Sequence, residues 1–402
     1  MQTSRIYLWG HSGSVNNEAR SIKEPKELEC FESKGLTSVS CGALHTSFCF
    51  DEKELYMMGH GESGQLGNGL GTSSFEIPVH VKLPISSEGK IISVSCGYRH
   101  TIVLTSEGVY GFGGQLGLGY EEDLIPNKAL VPRKITFLDP YDVVAVACGS
   151  RHTLFLLSNG QILGTGYNAH GQLGLNSRRD YNAPAVIEYL ENANIVKVTA
   201  GELHSAVLTT CGELYVFGLG RAVGFAEDCL VPTKIDFGTH EIVRDVQCGA
   251  SHTLVLTKQG DVYSFGAGSH GQLGIGKVCV KPQRPQLIKD LVGKYVTDIS
   301  AGVRFSIAAT ADGDVYGWGE NVDNVFCVGK ENEIQVKPKK ISHFDKSKVV
   351  GIECGGWHVI AIVKGEKDPK GTDYACFLIA HVKDILNEDP KLSLALGDRR
   401  KC

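Results

Sequence analysis

One motif returns seven times along this chain, and its spacing restricts the fold more than any other feature. A small residue and Gly come first, then two variable residues, a fifth position that is His in all but one copy, and usually Thr or Ser. The copies read CGALHT from Cys41, CGYRHT from Cys96, CGSRHT from Cys148, AGELHS from Ala200, CGASHT from Cys248, AGVRFS from Ala301 and CGGWHV from Cys354. Their fifth positions are His45, His100, His152, His204, His252, Phe305 and His358, separated by 55, 52, 52, 48, 53 and 53 residues. Steps this even mark a structural repeat, and repeats override the domain count that 402 residues would otherwise suggest.

A second motif alternates with the first. It is an apolar pair leading to a residue, usually aromatic, and then Gly: IYLWG (Ile6 to Gly10), LYMMG (Leu55 to Gly59), VYGFG (Val109 to Gly113), ILGTG (Ile162 to Gly166), LYVFG (Leu214 to Gly218), VYSFG (Val262 to Gly266) and VYGWG (Val315 to Gly319). Four copies run on into GQLG, at Gly64, Gly114, Gly171 and Gly271. The residues after each fifth position are apolar and β-rich, as in HTIVLT and HTLVLT. Turn residues follow, then the aromatic strand, a Gly-rich loop and a Pro-flanked strand such as LVPRKI. The 49 glycines fit a chain with many tight connections. Four short strands per unit, without a helix, describe a propeller blade. One blade cannot cover both of its faces, so blades must stack around an axis.

The expected fold is therefore all-β: a closed seven-bladed β-propeller over residues 1–363. The chain opens on the second motif, and the propeller ends on the first. Pairing these ends in one blade completes the ring like a strip of velcro and removes the exposed sheet edge. Residues 364–402 read as a linker, GEKDPKG, and an amphipathic helix carrying Tyr374, Phe377, Leu378, Val382, Ile385 and Leu386, stopped by Pro390.

The alternation of CGxxHT with VYxFG and GQLG resembles the regulator of chromosome condensation repeat, over residues 5 to about 363. The resemblance implies the seven-bladed ring and its velcro closure. Its members include an exchange factor for a small GTPase, a photoreceptor, and repeat domains of ubiquitin ligases and kinases, so the fold leaves function open. Some copies depart from the pattern. Repeat four has GRAVG (Gly220 to Gly224) in place of GQLG. Repeat six has NVDNVFCVG (Asn321 to Gly329) and Phe305 in place of His. Repeat two runs straight from Gly113 into GQLG. These loops make the ring asymmetric, which is where a partner site is expected.

The motifs that could carry chemistry favour structural readings. A metal site needs about four converging ligands. Each Cys and His pair here belongs to its own blade, and two copies have Ala for Cys. The expectation is no metal, with His45, His100, His152, His204, His252 and His358 as structural residues that bond backbone. GHGESG and GAGSHG match G-x-G-x-x-G but run into QLG with no helix to receive a dinucleotide. No catalytic constellation and no cofactor site is expected, so the chain reads as non-enzymatic. Charged loop residues are the candidates for partner binding: Glu121, Glu122, Asp123, Arg178, Arg179, Asp180, Glu227 and Asp228.

The net charge of −5 gives no sign of a nucleic-acid surface. No apolar run is long enough to span a membrane, and no basic-then-apolar leader opens the sequence. The 13 cysteines follow the repeat and read as reduced thiols of an intracellular protein, cytoplasmic in preference to nuclear. The expected role is a monomeric scaffold or adaptor that binds another protein, including a small GTPase. The alternative is guanine-nucleotide exchange on such a GTPase, which would act by favouring the nucleotide-free state. Two features weigh against Ran as that GTPase: the opening MQTSRIYLWG carries no basic tail, and no repeat has room for an inserted β-wedge. Three tryptophans are too few for a clustered-tryptophan light sensor.

Overall fold

HTLFLL offers no polar face, so a strand made from it must be covered on both sides. The computed structural model supplies that cover by stacking blades. It describes residues 4–15, 18–31, 34–71, 74–114, 128–190, 193–238, 241–328, 333–344 and 347–365. Seven four-stranded antiparallel sheets account for the seven copies of each motif. Blade 3 shows the pattern: Val143–Cys148, His152–Leu157, Ile162–Gly166 and Tyr181–Val186 pair in chain order. Its second strand is buried at all six positions, as are the second strands of blades 1 to 6. The first strands line the axis, and the Pro-bearing fourth strands form the rim.

Each copy of the second motif closes on a glycine with φ between +87° and +110°. In blades 1 and 3 to 6 the pairing register shifts at that glycine. A Cβ is poorly tolerated in that backbone region, which explains the glycine.

Blade 7 closes the ring as expected. Arg5–Val15 pairs with His358–Val363 on one side and Glu18–Glu27 on the other, and Val349–Cys354 completes the sheet. Trp9 lies opposite Val359 and Gly10 opposite His358. Trp9 is fully buried, and its indole N–H donates to the carbonyl of Val325 in blade 6 at 2.7 Å.

The repeats were expected to hold no helix. The structure adds one α-helical turn, Gly220–Val223, where GRAVG replaces GQLG, a 3-10 turn in the blade 6 loop at Val322–Asn324, and further short 3-10 turns between blades. The expected helix over 374–386 lies outside the described residues, as do Glu121, Glu122 and Asp123. Among the described residues ten cysteines are free thiols, but Cys211 is disulfide-bonded, so the expectation of reduced thiols throughout does not hold for it. Among the described residues no helix is long and apolar enough to cross a membrane.

Candidate functional site

The six motif histidines bond side chains of the next blade, which corrects the expectation that they bond backbone. His45 Nε2 meets Thr101 Oγ1 at 2.9 Å, His100 meets Thr153 at 3.1 Å, and His152 meets Ser205 at 2.8 Å. His204 meets Thr253 at 3.0 Å, His252 meets Ser306 at 2.8 Å, and His358 returns to Thr46 at 2.8 Å. The hydroxyls of Thr101, Ser205 and Ser306 donate to the carbonyls of Gln65, Gln172 and Gln272, the glutamines of the GQLG loops. A hydroxyl that donates there must accept from the imidazole, so Nε2 carries the proton and Nδ1 does not. All six Nδ1 atoms are buried without a partner. Burial depresses each imidazole, to about 3 for His45, His152, His204 and His252 and to about 4 for His100 and His358. They are neutral inter-blade couplers at physiological pH.

This geometry also explains the glycine of the motif. A Cβ on Gly149 would sit 2.3 Å from His152 Cε1 and 2.6 Å from the carbonyl oxygen of Gly201 in blade 4. Gly149→Ala is expected to cost about 1–3 kcal/mol by overpacking, read as a fall in denaturant midpoint with unchanged slope. Removing the acceptor is a different test. Ser205→Ala strands the buried His152 N–H, at about 1–3 kcal/mol. Changing both partners, His152→Phe with Ser205→Val, should cost less than Ser205→Ala alone. The protein already contains that exchange: Phe305 faces blade 7, where the residue in the hydroxyl position is Val359, and both are fully buried in one apolar cluster.

The junction between blades 6 and 7 is fastened in another way. The blade 6 loop, which departs from GQLG, reaches the closing hairpin. Asn324 Nδ2 donates to the carbonyl of Lys23 at 3.0 Å, Ser21 Oγ donates to the carbonyl of Asp323 at 3.4 Å, and His11 faces Asp323 at 3.4 Å. Asp323, Asn324 and Cys327 hold positive φ there, a strain that these contacts support.

The first strands enclose a channel of about 760 Å³. Ser40 Oγ accepts the amide of Cys96 at 3.0 Å, Ser95 Oγ that of Cys148 at 2.9 Å, and Ser300 Oγ that of Cys354 at 2.8 Å. Lys197 pairs with Asp245 across blades 4 and 5. Burial pushes Asp298 up to about 7 and Glu353 up to about 8, and each lies near a further carboxylate that adds to the rise. Sequence reading missed these four groups. They sit in the inner strands at positions occupied elsewhere by Ser, Ala, Thr, Gln or Gly, so only a blade-by-blade comparison marks them. Burial also raises the thiols of Cys148 and Cys248 to about 12, which leaves them unreactive. Among the described residues no group of three or more His, Cys, Asp and Glu is placed to hold a metal.

One face of the ring carries the loops that follow the first and third strands of each blade. Most of the proposed charged residues lie there, but several bond within the protein. Arg178 donates to Asp228 at 2.6 Å and to the Ala169 carbonyl at 2.8 Å. Asp228 also accepts from His170 at 3.1 Å and from the Gly220 amide at 2.9 Å. Burial raises the Asp228 carboxyl, but the bonds from Gly220, Arg178 and His170 outweigh it and leave the group below its ordinary value. Asp180 accepts from the Asn168 amide at 2.9 Å. Arg179 and Glu227 are exposed. Arg178 and Asp228 stand 50 residues apart, close to one repeat, and so tie neighbouring loops.

The model of the RCC1-like domain matches residues 5–361. The ultraviolet-B receptor UVR8 of Arabidopsis thaliana is 33% identical over 336 residues, 81% of this chain and 74% of that protein. The human E3 ubiquitin-protein ligase HERC2 is 31% identical over 372 residues, 89% of this chain but only 8% of that much longer protein. Human WBSCR16 superposes with a TM-score of 0.78 at 25% identity, covering 91% of this chain and all of that one. Prp20p of Saccharomyces cerevisiae, whose structure was described with its binding to Gsp1p and histones, gives a TM-score of 0.80 at 20% identity over 96% of each chain, a likeness of fold. With the ring, the two repeat motifs and these likenesses together, the chain belongs to the RCC1-like domain family.

Proposed function

We propose that this protein is a non-catalytic interaction propeller, a regulatory scaffold or adaptor that presents its loop face to another protein. One contrast carries the reading. The blades are coupled by a repeated His and hydroxyl bond, while the loops they hold on one face differ from blade to blade: GQLG in some, GRAVG in blade 4 and NVDNVFCVG in blade 6. A rigid frame carrying dissimilar loops is suited to recognition. Support also comes from Prp20p, whose structure was described with its binding to Gsp1p and histones. A small GTPase is within the proposed partner class.

The test is a tagged pull-down read by mass spectrometry, run in parallel with GDP, with a GTP analogue and with EDTA. Partners retained in all three arms are the expected result. A small GTPase captured only with EDTA would replace the scaffold reading with nucleotide exchange. No specific partner in any arm would overturn both.

A further inference from the structure

The face opposite the loops carries the hairpin turns between second and third strands and the connections from blade to blade. Three of the connecting turns bury one residue each, Leu138, Leu190 and Leu291, and leave large apolar neighbours outside. Phe137 and Tyr141 stand exposed between blades 2 and 3, Tyr189 between 3 and 4, Ile242 between 4 and 5, and Val292 and Tyr295 between 5 and 6. On either side of blade 7 the corresponding turns bury Phe344 and Phe31, and no large apolar residue is exposed there among the described residues. The apolar arc is therefore centred on blade 4. Large apolar side chains gathered in this way mark a docking surface. Cys211 sits in the middle of the arc, in the turn between His204–Thr209 and Leu214–Gly218. It is exposed, and the next residue abuts the arc: a Cβ on Gly212 would lie 2.5 Å from Ile242 Cγ2. Its sulfur is disulfide-bonded. Of the 13 cysteines in the sequence ten are free, so the partner thiol belongs to Cys376 or Cys402. Both lie beyond Gly365, and the strand His358–Val363 delivers the chain to this same face, where the Lys364 amide donates to the Lys348 carbonyl at 2.9 Å.

We propose that residues 366–402 fold back over this face as its cover, with the apolar stripe of 374–386 on the arc and a Cys211–Cys402 disulfide as the tether. Helical spacing favours Cys402, because Cys376 falls on the side of the expected helix away from Tyr374, Leu378, Val382 and Ile385. Charge favours it too. Arg399, Arg400 and Lys401 precede Cys402, and Glu241, next to Ile242, has a buried carboxylate oxygen with no bonding partner among the described residues. The dimensions agree. Seven sheets packed about 10 Å apart put the ends of their second strands on a circle about 22 Å across, with the exit at blade 7 and Cys211 at blade 4 on opposite sides. The expected helix is about 20 Å long, enough to lie across that circle. The tether forms by exchange with a low-molecular-weight disulfide. The thiolate of Cys402 displaces one thiol from it, the thiolate of Cys211 displaces the second, and the two protein protons end on the released thiols. The loop face is left open for the partner.

The tether is tested on the full chain incubated with oxidised glutathione. Remaining thiols are blocked, the protein is digested without reductant, and the linked peptides are read by mass spectrometry. A Cys211–Cys402 pair is expected. Cys211 linked to Cys376 or any other residue, capped by glutathione or recovered blocked, would overturn the tether. Hydrogen exchange of the full chain tests the cover. The turns Thr136–Leu138 and Glu188–Leu190 should exchange about tenfold faster in Cys211→Ser than in the wild type. Phe377→Glu with Leu378→Glu, which keeps the thiols and removes the apolar grip, should have the same effect. The loop-face turn at 97–99 should exchange alike in all three proteins. Circular dichroism melts confirm that both variants are folded, and either one alone decides the outcome if the other is not. Unchanged exchange at the two turns would overturn the cover. So would faster exchange on both faces, which is the mark of a loosened ring.

Discussion

Lowering the pH from 7 to 5 should unfold this propeller, or bring it close to unfolding. The cause is the set of six coupling histidines. Each has a folded pKa near 3 or 4 against an ordinary value of 6.5. Above pH 6.5 both folded and unfolded chains hold these rings neutral, and no penalty exists. Below it the unfolded chain takes up protons that the folded one refuses, so stability falls with pH until the folded pKa is reached. At pH 5 each fully buried ring contributes a loss of about 2 kcal/mol. Six such losses sum to about 12 kcal/mol, comparable to the whole stability of a typical domain. Asp298 and Glu353 act in the opposite sense. Their folded pKa values are raised, so their contribution is complete below the ordinary carboxyl pKa and is lost as pH rises through about 7 and about 8. They are two groups against six, so the histidines dominate. Denaturant unfolding followed by circular dichroism from pH 8 to 4.5 checks this. A midpoint that stays level between pH 7 and 5 would sink it. The paired change His252→Phe with Ser306→Val should flatten the pH slope by one proton of the six.

Trp9→Ala is expected to be the most damaging single truncation in the ring. Removing a buried Trp side chain costs about 3–5 kcal/mol. The change also leaves the buried Val325 carbonyl without its donor, for about 1–3 kcal/mol more. The site lies where blade 7 meets blade 6, the junction that has no His and hydroxyl bond. Phe112→Ala is the matched comparison, because Phe112 holds the same motif position in blade 2, is fully buried and has no N–H to lose. The Trp9 variant should show the larger fall in denaturant midpoint, and Trp9→Phe should recover most of the packing but not the bond. A Trp9→Ala loss of about 1 kcal/mol or less, within the range of an ordinary surface change, would mean the closure does not depend on this anchor.

The blades, their number and their closure were legible because each is a periodic property. His45 to His358 and Trp9 to Trp318 mark a repeat without any knowledge of contacts. The partners of the histidines were legible in principle and were missed. Wherever the fifth residue is His, the next copy carries Thr or Ser just after its own fifth residue; Phe305 is followed one copy later by Val359. Reading that correlation requires placing adjacent repeats side by side in space. The loops were less legible. Arg178 and Asp228 looked like free surface charge, but the curvature of the ring brings one loop onto the next. Arg221 and Arg304, which both line the channel, were overlooked because 83 residues separate them in sequence, and only the circular arrangement brings them to one channel.

The split blade has a consequence for how the protein is made. The hairpin Arg5–Glu27 leaves the ribosome ahead of six complete blades, and its partner strand His358–Val363 arrives only after them. Until then both the hairpin and the growing stack present an uncovered sheet edge, the kind of surface that invites pairing with another chain. Closure joins residues from almost opposite ends of the sequence, a slow step because a very long loop must be drawn shut. Nascent chains stalled before His358 should therefore lean on holding chaperones, and release from them should coincide with emergence of the final strand.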